Sequence, residues 1–352
     1  MKIACFAGIT LLLASFQAGA QTNSYTVTPI IDNTMDQYLI NPWGMSRPES
    51  SALNDNEWWL SDNVTGVSTL YRVDRSGADS LSFLVVTIPS ASGTGTGHPT
   101  GTAYNGVGGP GPGVNNFTFA TGDGTISNWN AGSKPPPGGT RCYECHVASS
   151  TIMVNNSSSG AAYTGLTLAT NPTTQAPTYY AANFNGTVEA YDATTFLPVR
   201  IRRGFSDPKI PADYKPFGIQ TVGSLIWVTF FNGISGGYVD GFDASGRLKV
   251  RLAKGRFSEP WGIAQAPADF GFFSNMLLVG NTTSGKIGAF DPNTGAFKGY
   301  LQDSTAQTIV LPGLWGISFG NGNIKSGPTN TLYYAAGGSD ELSGVFGQIT
   351  AN

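Results

Sequence analysis

Cys142, Cys145 and His146 stand in the order C-x-x-C-H within "GTRCYECHVAS", residues 139–149. That spacing suits a covalent c-type haem, with two thioether bonds from the cysteines and His146 as the proximal iron ligand. The same cysteines suit a local Cys142–Cys145 disulfide. The thiols with His146 also suit a bound metal or an intermolecular contact. All three readings stay open on the residues alone. The haem reading lacks a distal ligand: the chain's other histidine, His98, is expected on the opposite face, and Met153 lies along a strand.

Other catalytic devices are thinly represented. His98 sits in "GHPTG" and could act as a general base, but no G-x-S-x-G motif accompanies it. Asp62 and Asp123 are candidate cation ligands, yet a calcium site wants six or more oxygens. Six N-x-S/T sequons, at Asn63, Asn116, Asn155, Asn156, Asn185 and Asn281, would be glycosylated only in a eukaryotic secretory pathway.

The elements that must position these residues repeat along the chain. One phrase recurs six times, as "NPWGMS", "HPTGTA", "AYTGLT", "KPFGIQ", "EPWGIA" and "GLWGIS". Each is followed by an apolar, β-rich run, and most runs turn back into another strand, as in "GTISNWN", "GTVEAYD" and "GKIGAFD". No stretch has helical periodicity. A unit of about 50 residues with four short strands is the size of a propeller blade. The expected fold is all-β: a six-bladed β-propeller of four-stranded blades. The strand at Tyr25–Ile31 precedes the first phrase and is expected to serve as the outer strand of the last blade. The repeat runs through without a linker, so residues 21–352 read as a single domain, with 131–149 an inserted Gly/Pro-rich loop of blade two.

The repeat also nominates a binding site. The residues before the repeated glycines are Trp43, Thr100, Thr164, Phe217, Trp261 and Trp315. They start the inner strands and should stand near one mouth of the central channel. Second strands end in Asp62, Asn63, Asp123, Asn183, Asn232 and Asn281, expected on the same face. For any single Trp-Gly or Phe-Gly pair, packing between blades accounts for the aromatic. Taken together, Trp43, Phe217, Trp261, Trp315, Asn63 and Asn183 form an aromatic collar with polar neighbours, suited to a small molecule, a glycan or a protein partner.

Residues 1–20 read as a secretory signal: Lys2, an apolar run from Ile3 to Phe16, and Ala18-Gly19-Ala20 before Gln21. The run is too short to span a bilayer, so no membrane insertion is expected, and the product is expected to be secreted or periplasmic and monomeric. Charged residues are 12% of the chain, about half the usual share. With a net charge of -3 and no basic run, nucleic acid and anionic membranes are poor candidate partners. Only Cys142 and Cys145 remain after Cys5 leaves with the signal, so the core does not rest on a disulfide framework.

"WWLSDNVTGVSTLY", "GDGTISNWN", "EPWGIAQAPADFG" and "LLVGNTTSGKIGAFDPNTGAF", with "NPWGMS" and "GLWGISFGNG", resemble an uncharacterised family of secreted proteins of bacteria and some fungi. The resemblance implies a six-bladed, NHL-like propeller over nearly the whole chain after the signal, and no established activity. The segment containing C-x-x-C-H is not part of that family pattern, and "FNGISG" replaces a longer charged segment. The architecture is more distantly similar to sugar-lactonase propellers, which implies a hydrolase or lyase alternative. Trp, Phe or Thr here stands before each glycine, where that family carries a metal-binding Asn. A binding or scaffold module therefore comes first, a haem-bearing electron-transfer protein second, and a lactonase-like enzyme third.

Overall fold

A computed structural model of the protein describes residues 21–49, 56–106, 116–130 and 147–352. The chain opens with β1 (Tyr25–Asp32) and enters blade one as β2 (Pro42–Ser46), β3 (Trp58–Asp62), β4 (Val67–Tyr71) and β5 (Leu81–Thr87). Blade two contains β6 (Pro99–Asn105), β7 (Asn116–Thr121) and β8 (Thr125–Asn130); β9 (Val147–Ser149) intervenes before its outer strand, β10 (Thr151–Asn155). Blade three is β11 (Tyr163–Thr170), β12 (Pro177–Asn183) and β13 (Val188–Asp192). Blade four is β14 (Lys215–Val222), β15 (Leu225–Phe231), β16 (Tyr238–Phe242) and β17 (Leu248–Arg251). Blade five is β18 (Pro260–Gln265), β19 (Leu277–Asn281), β20 (Ile287–Phe290) and β21 (Phe297–Tyr300). Blade six is β22 (Leu314–Phe319), β23 (Leu332–Ala336) and β24 (Val345–Ala351), completed by β1.

The six repeated glycines hold the ring together by close approach. A Cβ on Gly44 would lie 2.5 Å from the Thr100 carbonyl oxygen of the next blade, and one on Gly101 only 2.3 Å from Leu166 N. The same contact joins Gly218 to Trp261 and Gly262 to Trp315, and Gly316 to Trp43 closes the circle. No side chain fits where adjacent inner strands run this close, so the repeat keeps glycine there.

The two chain ends meet as the sequence leads one to expect. β1 pairs antiparallel with β24 from Tyr25↔Ala351 to Asp32↔Val345. Tyr25 is buried, and its hydroxyl donates to the Phe270 carbonyl and accepts from the Phe273 N–H, tying the seam to blade five. Between blades the core is aromatic and aliphatic; Tyr180, Phe205, Val228 and Phe242 meet between blades three and four. Burying each such ring contributes about 2–3 kcal/mol.

Two blades depart from the four-strand expectation. β9 leaves its own blade and pairs parallel with β5, giving blade one a fifth strand. Blade three has three strands, because the chain after β13 makes only one bridge, Tyr191↔Pro198, before turning away. On either side of that bridge the Asp192 N–H donates to the Leu197 carbonyl and the Val199 N–H to the Ala190 carbonyl, and the pairing goes no further.

Candidate functional site

The residues before the repeated glycines do meet at one mouth, and they fill it. Trp43 stacks on Trp315 with ring centroids 3.7 Å apart. Trp261 stands edge-on to both, at 6.2 and 6.0 Å, and Phe217 lies 6.1 Å from Trp43 and 6.0 Å from Trp315. Phe184 and Phe231, from the ends of second strands, join the cluster. The collar expected from the sequence is thus a plug of rings from five blades. Trp315 is 1% exposed, whereas Trp43 is only partly buried.

Small residues before the glycines of blades two and three make the plug close. At the equivalent positions Thr100 donates to the Tyr163 carbonyl and Thr164 to the Phe217 carbonyl, both at 2.8 Å. The space they leave admits the Trp261 indole, whose N–H crosses the channel to the Thr164 carbonyl at 2.8 Å. The Trp315 N–H donates to Asn41 Oδ1 at 2.8 Å, while the buried Trp43 N–H has no hydrogen-bond partner in the protein. Beneath the plug, the channel between Gly44, Gly101, Gly262 and Gly316 narrows to a cavity of about 10 Å³, room for one water.

The polar residues chosen from the sequence divide among separate networks. Asn63 donates to the Pro99 carbonyl at 3.2 Å, and its own carbonyl faces His98 Nδ1 at 3.2 Å. Asn232 accepts from the nearby Ile234 and Ser235 N–H groups, and Asn281 from the Ser258 N–H of the segment entering blade five. Asp123 accepts from the N–H groups of Ala91 and His98. Asp62 is fully buried and accepts from the Thr69 N–H and hydroxyl through one oxygen, leaving the other unpaired. Burial pushes its carboxyl well above the carboxylate range; the Thr69 hydroxyl opposes that and the Asp36 charge adds to it. Among the described residues, no group of three or more His, Cys, Asp or Glu is placed to hold a metal ion.

Asn183 leads to a cluster that the sequence reading missed. Its amide N–H donates to Glu189 Oε1 at 2.9 Å. The hydroxyls of Tyr163 and Tyr191 each donate to Glu189 Oε2 at 2.6 Å. Asn156, arriving from blade two, donates to both tyrosine oxygens at 2.8 Å. Burial would raise Glu189, but hydrogen bonds from the two tyrosines and two asparagines together hold it below its usual range. Tyr191 is pushed up to about 12, by burial and then by the adjacent carboxylate. The result is an ionised carboxylate held by four donors. It opens onto a groove of about 460 Å³ walled by Val188, Ala190, Pro198, Val199 and Ile201, where blade three lacks an outer strand. The period-2 placement of Glu189 and Tyr191 in "TVEAYD" was the available signal.

Cys142, Cys145 and His146 lie outside the described residues. The flanking strands are described. β8 ends at Asn130 in blade two, and β9, starting one residue after His146, lies on the edge of blade one.

No family model matches the chain. Two uncharacterised proteins of Acanthamoeba polyphaga mimivirus are similar to it. One is 24% identical over 97% of this chain and 84% of its own length; the other is 27% identical over 89% and 81%. Among solved structures, a glucose dehydrogenase superposes with a TM-score of 0.56 and 13% identity, covering 93% of this chain and 100% of its own. A Bacteroides thetaiotaomicron protein of unknown function gives a TM-score of 0.54 and 11% identity, over 93% and 76%. At this level of identity the likeness is one of fold: a six-bladed β-propeller.

Proposed function

We propose that this propeller is a binding module that recognises a glycan or peptide on its mouth face. The observation that carries this reading is the plug itself. Rings from five blades converge on one mouth and leave the Trp43 indole partly open as a floor, and the Asn63 N–H donates to the carbonyl of Asn41, two residues before Trp43. The packed rings close this mouth, so recognition takes place above them. An indole face offers a flat apolar platform to the C–H face of a sugar or to a side chain. Titration of oligosaccharides and extended peptides against intrinsic tryptophan fluorescence tests this. Trp43→Ala should abolish the response while the β circular-dichroism signal stays intact. A variant that binds as the parent does would remove the site.

The anchoring of β9 favours a second reading. His146 directly precedes β9 in the sequence, and β9 is fixed to β5 on the edge of blade one. Cys142, Cys145 and His146 would then carry a covalent haem for electron transfer. Protein produced with a haem-attachment system should show a Soret band and a covalent haem increment in intact mass. An unchanged mass from such cells overturns that reading.

A further inference from the structure

We infer that the outer wall of blade four is a docking surface for an acidic polysaccharide, separate from the mouth. Charge is unevenly divided along the chain. Ten of the nineteen Lys and Arg residues fall between 200 and 256, with four of the twenty-two acids. That segment carries +6 within a chain of net charge -3, so the remainder carries -9. A large single-sign field of this kind guides oppositely charged partners.

The fold gathers these cations onto one wall. The loop bearing Arg202 and Arg203 packs against the β16–β17 turn, with Arg203 N–H donating to the Ser245 carbonyl at 3.0 Å. A Cβ on Gly246 would lie 2.8 Å from Phe205 N, which sets Arg247 beside that loop. β17 then carries Lys249 and Arg251 outward, and the chain continues along the same side to Lys254 and Arg256. All of these side chains are exposed. Lys249 and Arg251 have carboxylate partners, Asp243 and Asp207. Among the described residues, no carboxylate lies within ion-pair reach of Arg202, Arg203, Arg247, Lys254 or Arg256.

Protection of an edge strand accounts for the charges on β17 itself. It does not account for the cations on the 200–209 loop or those after β17, which lie off the strand. Lys254 sits 5.3 Å over the Tyr238 ring of blade four and Arg256 4.8 Å over Phe297 of the adjoining blade five, so these two heads are held at fixed places where the wall meets its neighbour. An incoming carboxylate or sulfate can meet such a head on its open side without displacing it. A nucleobase would have to remove it to stack. The wall is built from an edge strand and turns, with no helix to enter a nucleic-acid groove among the described residues of blade four. Arginine matches carboxylate and sulfate groups with two parallel hydrogen bonds, which favours a polymer carrying spaced anions.

The test uses the full chain with polygalacturonate and heparin fragments as probes and neutral dextran as control, followed by calorimetry or polarisation. Binding of at least one acidic glycan is expected at 50 mM salt, weakening steeply toward 300 mM, with none to dextran. The double variants Arg202→Ala/Arg203→Ala and Lys254→Ala/Arg256→Ala should each lose affinity by about tenfold, with unchanged melting temperature. Arg72→Ala/Arg75→Ala, in blade one, should bind as the parent does. Absence of binding to both acidic glycans, equal loss in the blade-one variant, or tighter binding to single-stranded DNA or phosphatidylserine vesicles would each overturn the assignment. Polygalacturonate carries carboxylates alone and heparin carries sulfates as well, so the preference between them tells the two kinds of acidic glycan apart.

Discussion

Replacing Trp315 by alanine separates the plug from an open collar. The side chain is 1% exposed, stacks on Trp43 at 3.7 Å, and gives its N–H to Asn41 Oδ1. Truncating a buried tryptophan to alanine costs about 3–5 kcal/mol. Stranding a buried acceptor on Asn41 adds about 1 kcal/mol. The expected loss is therefore about 5 kcal/mol, a fall in melting temperature of roughly 10 °C for a domain of this length. Trp43→Ala is the comparison. That ring is partly exposed and its N–H has no partner to orphan, so the cost should be about 1–2 kcal/mol, or roughly 3 °C. Thermal unfolding followed by far-ultraviolet circular dichroism, with urea titrations at the same pH, reads both. If Trp315→Ala melts within a few degrees of the parent, or if Trp43→Ala falls just as far, the rings do not form a closed plug with one open face. The reasoning that places a ligand above Trp43 would then fail.

A buried acid pair predicts a pH dependence. Asp240 is raised to about 8, first by burial and then by the charge of Asp207, while the bond to Arg251 lowers Asp207 to about 2. The folded state keeps the Asp240 proton that the unfolded chain releases near pH 4, so this group's stabilisation is lost as pH rises from about 4 to 8. Asp207 acts oppositely, its contribution disappearing as pH falls from about 4 toward 2. Urea titrations at pH 5 and 8.5 should show a smaller loss in Asp240→Asn than in the parent; identical slopes would contradict the assignment. In the Glu189 cluster, a double-mutant cycle of Glu189→Gln with Tyr191→Phe should give a coupling of about 1 kcal/mol, and additive effects would mean the 2.6 Å bond contributes nothing. Gly262→Ala places a Cβ 2.3 Å from the Trp315 carbonyl oxygen and should destabilise by about 2–3 kcal/mol in the same urea assay; a neutral effect would show that the inner strands can part.

The ring was legible because each blade meets its neighbour at the same contact. A close approach that admits only glycine leaves one letter at the same place in every repeat, as at Gly44, Gly262 and Gly316. The β1 closure was legible for a related reason: one strand precedes the first phrase, and a ring needs a partner for it. What escaped depends on volumes and neighbours far apart in sequence. Whether four rings line a mouth or fill it depends on Thr100 and Thr164 across the channel, not on the rings themselves. The outer strand missing from blade three follows from the chain turning away after Val199, and "TTFLPVRIRRGF" does not announce that turn. The three residues of β9 are too few to carry a pattern. The basic wall was hidden because Arg203 and Arg247 lie in segments forty-odd residues apart, neither a long enough run to stand out.

The pairing of β1 with β24 sets an order of events during synthesis. The segment from Tyr25 is made long before its partner in the propeller, Val345–Ala351. Until those residues emerge, one blade stays a strand short and the ring cannot lock, so the early strand must wait with its edge open. A pairing that spans more than three hundred residues is slow to find and hard to lose once formed. The chain therefore behaves as a clasp: until β24 has emerged the ring stays open and vulnerable to proteases, and its pairing with β1 shuts it.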